Sequence, residues 1–153
     1  MWSVLLLGCV IVIFTMGIQV TAVVFMLRHL LRLVSNPDRR FTGFGFDTYV
    51  ISTVLMVLFI GHMFQMAVWA AVFLYLGEFA DFWTAFYHSM VNFASLGYGD
   101  IVMSEEWRLL GAIESSIGVL MFGLTAGIMI AVMTPLFSRY SPTNEQVRQA
   151  YRR

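Results

Sequence analysis

Three long apolar stretches limit what this chain can fold into. They run from about Trp2 to Leu31, from about Thr48 to Leu76 and from about Trp107 to Phe137. A helix needs about 20 predominantly apolar residues to cross the hydrocarbon core of a bilayer, and each stretch is longer than that. Only 12% of the residues are charged, whereas a soluble domain has about a quarter. The sequence therefore predicts an all-α membrane protein with three transmembrane helices.

A shorter apolar and aromatic segment, Phe82 to Ala94, lies between the second and third stretches. It has the size of a pore helix and is too short to span a bilayer, so it is interpreted as re-entrant or interfacial. The polar hexapeptide "SLGYGD" (residues 95–100) follows it directly. Irregular backbone at membrane depth must be buried in protein or line a water-filled path. The hexapeptide is therefore predicted to face such a path.

The two glycines of the hexapeptide indicate what it does there. Glycine adopts positive φ at no steric cost, and Gly97 and Gly99 stand two positions apart. This spacing can hold consecutive carbonyls on one side of the chain. A column of carbonyls can replace the water shell of a cation, and four copies around an axis form a selectivity filter. A dinucleotide-binding fingerprint would need a third glycine where Val102 stands.

The charged residues predict how the chain crosses the membrane. Arginines concentrate after the first stretch (Arg28, Arg32, Arg39, Arg40) and after the third (Arg139, Arg148, Arg152, Arg153). The loop between the second and third stretches carries Glu78, Asp81, Asp100, Glu105 and Glu106 against Arg108. The positive-inside rule then puts the first loop and the tail in the cytoplasm and the N-terminus outside. Four copies of the acidic loop would raise the local cation concentration.

The hexapeptide resembles the filter signature of potassium channels, T-V-G-Y-G-D. Ser95 stands for the threonine and Leu96 for the valine, and residues 97–100 match directly. The resemblance covers about residues 48–137 and is particularly to the small bacterial pore-domain channels, which carry one pore loop per subunit. Their inner helix often shows a tryptophan and then E-x-x-x-G, and here these are Trp107 and Glu114-x-x-x-Gly118.

The resemblance implies roles for the residues of the hexapeptide. The carbonyls of Ser95, Leu96, Gly97 and Tyr98 would bind K⁺, with Gly99 completing the filter. The Ser95 hydroxyl would close the innermost site. Tyr98 would point away from the axis and pack against the aromatic residues of the pore helix, which are Phe86, Tyr87 and His88.

Behind the predicted filter, the sequence differs from that of some members of the resembled family. Some family members have a glutamate there that pairs with the aspartate at the outer mouth, but this chain has Val91. Asp100 must therefore find another partner. Gly118 falls within one position of the family's gating hinge, and a packing role for it is equally open.

Several other residues inside the apolar stretches allow two interpretations of their role. Glu114 is either a polar or proton-sensitive support behind the filter, or a packed, hydrogen-bonded residue. His62, Gln65 and Gln19 favour interhelical hydrogen bonds over pH sensing. Pro135 either kinks the third helix or ends it. The first stretch is interpreted as a scaffold helix, because Arg28 and Arg32 are too few for a voltage sensor.

The sequence thus predicts a subunit of a potassium channel in the plasma (inner) membrane. Its predicted parts are an extra N-terminal helix (1–34), a cytoplasmic loop with an interfacial segment (35–47), a pore domain (48–137) and a cytoplasmic tail (138–153). One pore loop per chain predicts a homotetramer in the bilayer, with K⁺ as the permeant ion and without cofactor, nucleic acid or enzyme chemistry. The alternatives are a non-selective monovalent cation channel and a non-conducting scaffold or accessory subunit.

Overall fold

The computed structural model describes residues 2–34 and 43–140, and these residues form four α-helices. They are α1 (Trp2–Val34), α2 (Phe44–Tyr75), α3 (Phe82–Phe93) and α4 (Arg108–Tyr140). Helices α1, α2 and α4 are long and apolar enough to cross a membrane, which confirms the predicted all-α membrane fold. Most of the predicted cytoplasmic loop, with Arg39 and Arg40, and most of the tail, with Arg148, Arg152 and Arg153, lie outside the described residues.

The start of α2 differs from the prediction. The helix begins at Phe44, four residues before Thr48, and so includes the end of the segment predicted as loop. Gly43 precedes it with φ 135°, and its carbonyl accepts from the backbone N–H groups of Phe46 and Asp47. Asp47 lies in the first turn, where a carboxylate is stabilised by the positive end of the helix dipole. The two backbone bonds and the Asp47 charge outweigh the low helix propensity of Gly43 and Gly45.

Helix α4 continues through Pro135 to Tyr140, so the proline does not end the helix. Proline has no N–H and removes one bond of the helical ladder. Hydroxyls on either side bond to the backbone nearby: Thr134 Oγ1 donates to the Ile130 carbonyl at 2.7 Å, and Ser138 Oγ donates to the Pro135 carbonyl at 2.9 Å.

The helices pack around a core at the end of the molecule that carries α3. Trp69 and Phe73 of α2, Ala85 of α3 and Leu110 of α4 are fully buried in it. Helix α1 contacts both α2 and α4. At Gly8 a Cβ would lie only 2.7 Å from Cδ1 of Ile113, so α1 approaches α4 through a position without a side chain.

The tightest approach joins the end of α3 to the middle of α4. A Cβ built on Gly118 would lie 1.9 Å from the backbone carbonyl oxygen of Phe93. A backbone atom cannot move aside as a flexible side chain can. Gly118 therefore has a packing role in this structure, whatever part it takes in gating, and it sets how closely the inner helix supports the residues that follow α3.

We expect Gly118→Ala to prevent normal packing of α3 on α4. Overpacking of a well-packed site typically costs about 1–3 kcal/mol, and here the clash is with backbone. The matched control is Gly123→Ala on the same helix, where a Cβ would meet no atom within 4 Å. Thermal unfolding in detergent, followed by size-exclusion chromatography, should show a loss of stability for Gly118→Ala alone. Equal stability of the two variants would contradict the close approach.

Candidate functional site

The site is the loop that follows α3, and its start is bonded to the end of that helix. Three backbone bonds join them: Ala94 N–H donates to the Met90 carbonyl at 3.0 Å, Ser95 N–H to the Asn92 carbonyl at 2.8 Å, and Leu96 N–H to the Val91 carbonyl at 2.9 Å. The predicted filter therefore leaves α3 in a fixed direction. Val91, which stands where some members of the resembled family have a glutamate, is buried and anchors the loop through its backbone carbonyl.

The backbone of the loop alternates in conformation. Ser95, Gly97 and Gly99 have φ of 55°, 61° and 72°, and Leu96 and Tyr98 between them do not have positive φ. Serine rarely adopts such a φ, and strained backbone of this kind is concentrated at functional sites. A β-strand points successive carbonyls to opposite sides. Reversing φ at every second residue can turn them to the same side.

The loop makes few contacts inside its own chain. Residues 95–100 are all exposed, with Leu96 at 53% and Tyr98 at 64% of full exposure. A Cβ at Gly97 or Gly99 would meet no atom within 4 Å. Within one chain, the glycines are therefore required by their φ and not by lack of space.

Asp100 is held by Tyr87. The Tyr87 hydroxyl donates to Oδ2 of Asp100 at 2.7 Å, and this bond raises the pKa of the tyrosine. Tyr87 was predicted as a packing partner of Tyr98. The structure shows that it also supplies the partner that Asp100 lacks because residue 91 is valine.

The three aromatic residues 86–88 of α3 have different neighbours within one chain. Tyr87 and Tyr98 line the same cavity of about 280 Å³. Phe86 instead stacks on Phe82 with ring centroids 5.7 Å apart. His88 packs against Phe73 of α2 and Phe79, at 5.8 and 4.9 Å. Of the three residues predicted to pack on Tyr98, Tyr87 shares this cavity with it within one chain, and packing between subunits stays a prediction.

His88 bonds to the last turn of α3 on one side and to the residue directly after the hexapeptide on the other. Nε2 of His88 accepts from the amide of Asn92 at 2.9 Å, so the ring proton is assigned to Nδ1, which donates to the Ile101 carbonyl at 3.1 Å. Burial lowers the pKa of the imidazole, which agrees with this neutral form. The bonds fix the chain just after the hexapeptide to the middle of α3.

Two hydroxyl contacts bring α4 to the back of the site. Oγ of Ser95 lies 3.0 Å from Oγ of Ser115, so the predicted innermost ligand also contacts the inner helix. Glu114 is fully buried and bonded to the Ser89 hydroxyl. Ser89 Oγ in turn lies 2.9 Å from the Met66 carbonyl oxygen of α2.

Two of the acidic residues around the site support local structure. Asp81 caps α3: its carboxylate accepts from Thr84 N–H at 3.0 Å and from the Thr84 hydroxyl at 2.6 Å, and the hydroxyl bond is the main cause that lowers its pKa. Glu78 accepts from the backbone and the hydroxyl of Ser104, both at 2.7 Å. Glu105 and Glu106 are exposed and stay available to attract cations.

A second polar cluster lies deeper, between α1, α2 and α4. Gln65 donates to Oε1 of Gln19 at 2.8 Å, and its Nε2 lies 3.4 Å from Nδ1 of His62. Nε2 of His62 lies 2.9 Å from the Thr125 hydroxyl. The predicted interhelical hydrogen bonds are therefore present. A Cβ at Gly61 would lie 2.5 Å from Oε1 of Gln19, which shows how closely α1 approaches α2 here.

The sequence reasoning missed Ser89, Asn92, Ser115 and Thr125. Each is a small polar residue inside a predicted helix, and that position is the one signal that could have marked it. Small polar residues in such helices often bond their own backbone, as Thr15 and Thr21 do here. A small polar residue inside a predicted helix therefore does not indicate whether its side chain bonds to its own helix or to another helix. Among the described residues, no group of three or more His, Cys, Asp or Glu is placed to hold a metal ion.

A family model described as "Ion channel" matches residues 53–134, which is more than half of the chain. The match begins in α2, includes α3 and the loop, and ends one residue before Pro135 in α4. The comparisons with curated proteins and with solved structures found no match. The two long helices, the short helix and the loop between them are thus the part that the family model recognises, and the chain belongs to this family of ion channels.

Proposed function

We propose that this chain is a subunit of a potassium-selective channel that conducts K⁺ passively through a homotetrameric pore. The observation that carries the proposal is the alternation of positive φ at Ser95, Gly97 and Gly99, in a loop held between a short helix and two spanning helices. Such a loop can direct its carbonyls to one side, and a ring of four would replace the hydration shell of K⁺. The ligands would be the carbonyls of residues 95–98, with the Ser95 hydroxyl at the inner end.

The hydrogen bonds of the loop support this role. Its first residues donate backbone bonds to the carbonyls of Val91 and Asn92 in α3. His88 of α3 donates to the carbonyl of Ile101, the residue directly after the hexapeptide. Helix α3 ends at Phe93, directly before the loop. The C-terminal end of a helix carries partial negative charge, which would favour a cation beside the Ser95 end of the filter.

The exposed loop explains why the pore needs several chains. Polar backbone at membrane depth is tolerated only in protein or beside water, and residues 95–100 are exposed in a single chain. Neighbouring subunits around an axis would cover the outer side of the loop and leave its carbonyls on a water-filled path. In this arrangement α3 is a re-entrant helix, residues 48–137 form the pore domain and α1 is an addition to it.

The distribution of charge supports the orientation of the chain. Arg28 and Arg32 lie at the end of α1 that leads into the first loop, and the acidic residues lie between α2 and α4. By the positive-inside rule the N-terminus and the filter entrance face outside and the end of α4 faces the cytoplasm. Four copies of exposed Glu105 and Glu106 would then concentrate cations at the outer mouth.

Four chains should remain together after mild solubilisation. Native mass spectrometry in detergent is expected to give four times the 17.4 kDa mass of one chain. A monomer or dimer as the largest species, under conditions in which the protein stays folded, would contradict the tetrameric pore.

The left-handed φ of Gly97 gives a direct test of the filter. Gly97→Ala places a Cβ where φ is +61°, at a cost of roughly 1–2 kcal/mol in each chain. Potassium flux into liposomes should fall at least about tenfold, because 1.4 kcal/mol corresponds to a factor of ten.

The matched control for this test is Gly77→Ala. Gly77 has φ +77° and equal free space, but it lies in the turn after α2. It should suffer similar strain and keep its flux. Equal flux of wild type and Gly97→Ala would refute the filter assignment. Wild-type flux of Na⁺ equal to that of K⁺ would favour a non-selective cation channel, and no flux at all would favour a scaffold.

Removing one hydroxyl at the outer mouth should loosen the filter. Tyr87→Phe deletes the bond to Asp100 and leaves the ring in place. A hydrogen bond to a charged group is stronger than one between neutral groups, although solvent weakens it at an exposed position such as this one. We expect the permeability ratio of K⁺ to Na⁺, measured from reversal potentials, to fall several-fold. Tyr75→Phe is the control, because Tyr75 is 90% exposed. An unchanged ratio in Tyr87→Phe would show that this bond does not support selectivity.

A further inference from the structure

Glu114 is a buried carboxyl group whose bonded hydroxyl partner also contacts a second acceptor. It lies in α4 and is fully buried. Oε1 bonds with the Ser89 hydroxyl of α3, and Oε2 has no hydrogen-bond partner. The amide nitrogen of Asn92 has two protons: one is donated towards the Glu114 carboxyl and the other to Nε2 of His88 at 2.9 Å. An ionised carboxylate without a cation beside it would be costly at this depth.

The charged groups of the neighbouring helices do not compensate a negative charge here. Arg108, on the same helix, lies six residues earlier, which is about 9 Å along the axis. Arg28 and Arg32 of α1 lie at the far end of that helix from Gly8, where α1 approaches α4. His88, the titratable group of α3 nearest to the carboxyl, is reached only through Asn92 and is neutral in the bonding pattern described above.

The number of protons at Ser89 decides the direction of the bonds. A serine hydroxyl has one proton to donate. Ser89 Oγ lies within bonding distance of both Oε1 of Glu114 and, at 2.9 Å, the Met66 carbonyl oxygen. A carbonyl oxygen only accepts. If the carboxyl were ionised, two acceptors would compete for one proton, and one oxygen pair would face each other without a proton between them.

A protonated carboxyl removes this conflict. The acid O–H would donate to Ser89 Oγ, and the serine would pass its own proton to the Met66 carbonyl. Every oxygen pair then has one proton between its members, and no charge is buried. The chain of bonds runs from α4 through α3 to α2, and so fixes the pore helix between the two helices that enclose it.

We propose that Glu114 is a positioning residue that acts as a neutral acid, bracing α3 against α2 and α4 by donating through Ser89 to the Met66 carbonyl. It replaces, from the inner helix, the support that a carboxyl at position 91 would give from the pore helix. Its effect on conduction rests on the proposed channel function. Its protonation and its effect on packing do not.

The experiment compares Glu114→Gln with Glu114→Leu. The glutamine amide is neutral, has nearly the same shape and can donate to Ser89. Leucine cannot donate. The matched control is Glu106→Gln, an exposed acid in the turn two residues before α4.

Infrared spectroscopy at neutral pH tests the proton directly, because a protonated carboxyl has a carbonyl stretch that an ionised one lacks. The wild-type spectrum minus that of Glu114→Gln should contain this band, and the wild-type spectrum minus that of Glu106→Gln should not. Absence of the band from the first difference spectrum would overturn the proposal.

Thermal stability and potassium flux test whether the bonds from Glu114 through Ser89 to Met66 hold α3 in place. Glu114→Gln should unfold at the wild-type temperature in detergent and keep flux within about twofold of wild type. Glu114→Leu and Ser89→Ala should unfold earlier and lose flux about tenfold, the effect of 1.4 kcal/mol. If Glu114→Gln lost stability and flux as Glu114→Leu does, the proposal that Glu114 acts as a neutral hydrogen-bond donor would be wrong. If wild type showed the band and the expected order of stabilities but no flux, the channel function would fail and the brace would stand.

Discussion

Backbone groups that lie at membrane depth need partners, and this requirement governs the arrangement around the loop. Helices α1, α2 and α4 satisfy it internally, but residues 95–100 do not form a helix and are exposed in a single chain. Their N–H groups at Ser95 and Leu96 bond back to the end of α3. In the proposed pore, their carbonyls would face water, other subunits or cations. The short helix, its cap at Asp81 and its tight contact with α4 all hold this irregular segment in place.

Three consecutive residues of α3 connect it to the segments around it. Tyr87 holds Asp100, His88 holds the carbonyl of Ile101, and Ser89 bonds with Glu114 and with α2. A single carboxyl behind the filter could not reach all of these points. The valine at position 91 therefore does not leave the loop unsupported. The contacts come instead from Tyr87 and His88 of α3 and, through Ser89, from Glu114 of α4.

Length and hydropathy were enough to predict the three spanning helices and the short fourth one, because each must bury a continuous apolar surface. The positions of Gly97 and Gly99 were enough to predict left-handed backbone. The side-chain pairs could not be predicted, since Ser89 and Glu114 are 25 residues apart and meet only through the packing of α3 on α4. The start of α2 was missed because two glycines obscured a helix that is stabilised by Asp47 in its first turn.

Helix α1 can be assessed by the same requirement. Gln19 and Gln65 are fully buried and bond to each other across α1 and α2. If α1 separated from α2, both amides would face hydrocarbon, where an unpaired amide costs several kcal/mol by transfer to an apolar solvent. Gly61 has no side chain at the point where Gln19 reaches α2, and Gly8 lets α1 approach α4 at Ile113. These contacts make α1 a packed part of the helical unit and connect it, through His62 and Thr125, to α4, which contacts the loop at Ser95.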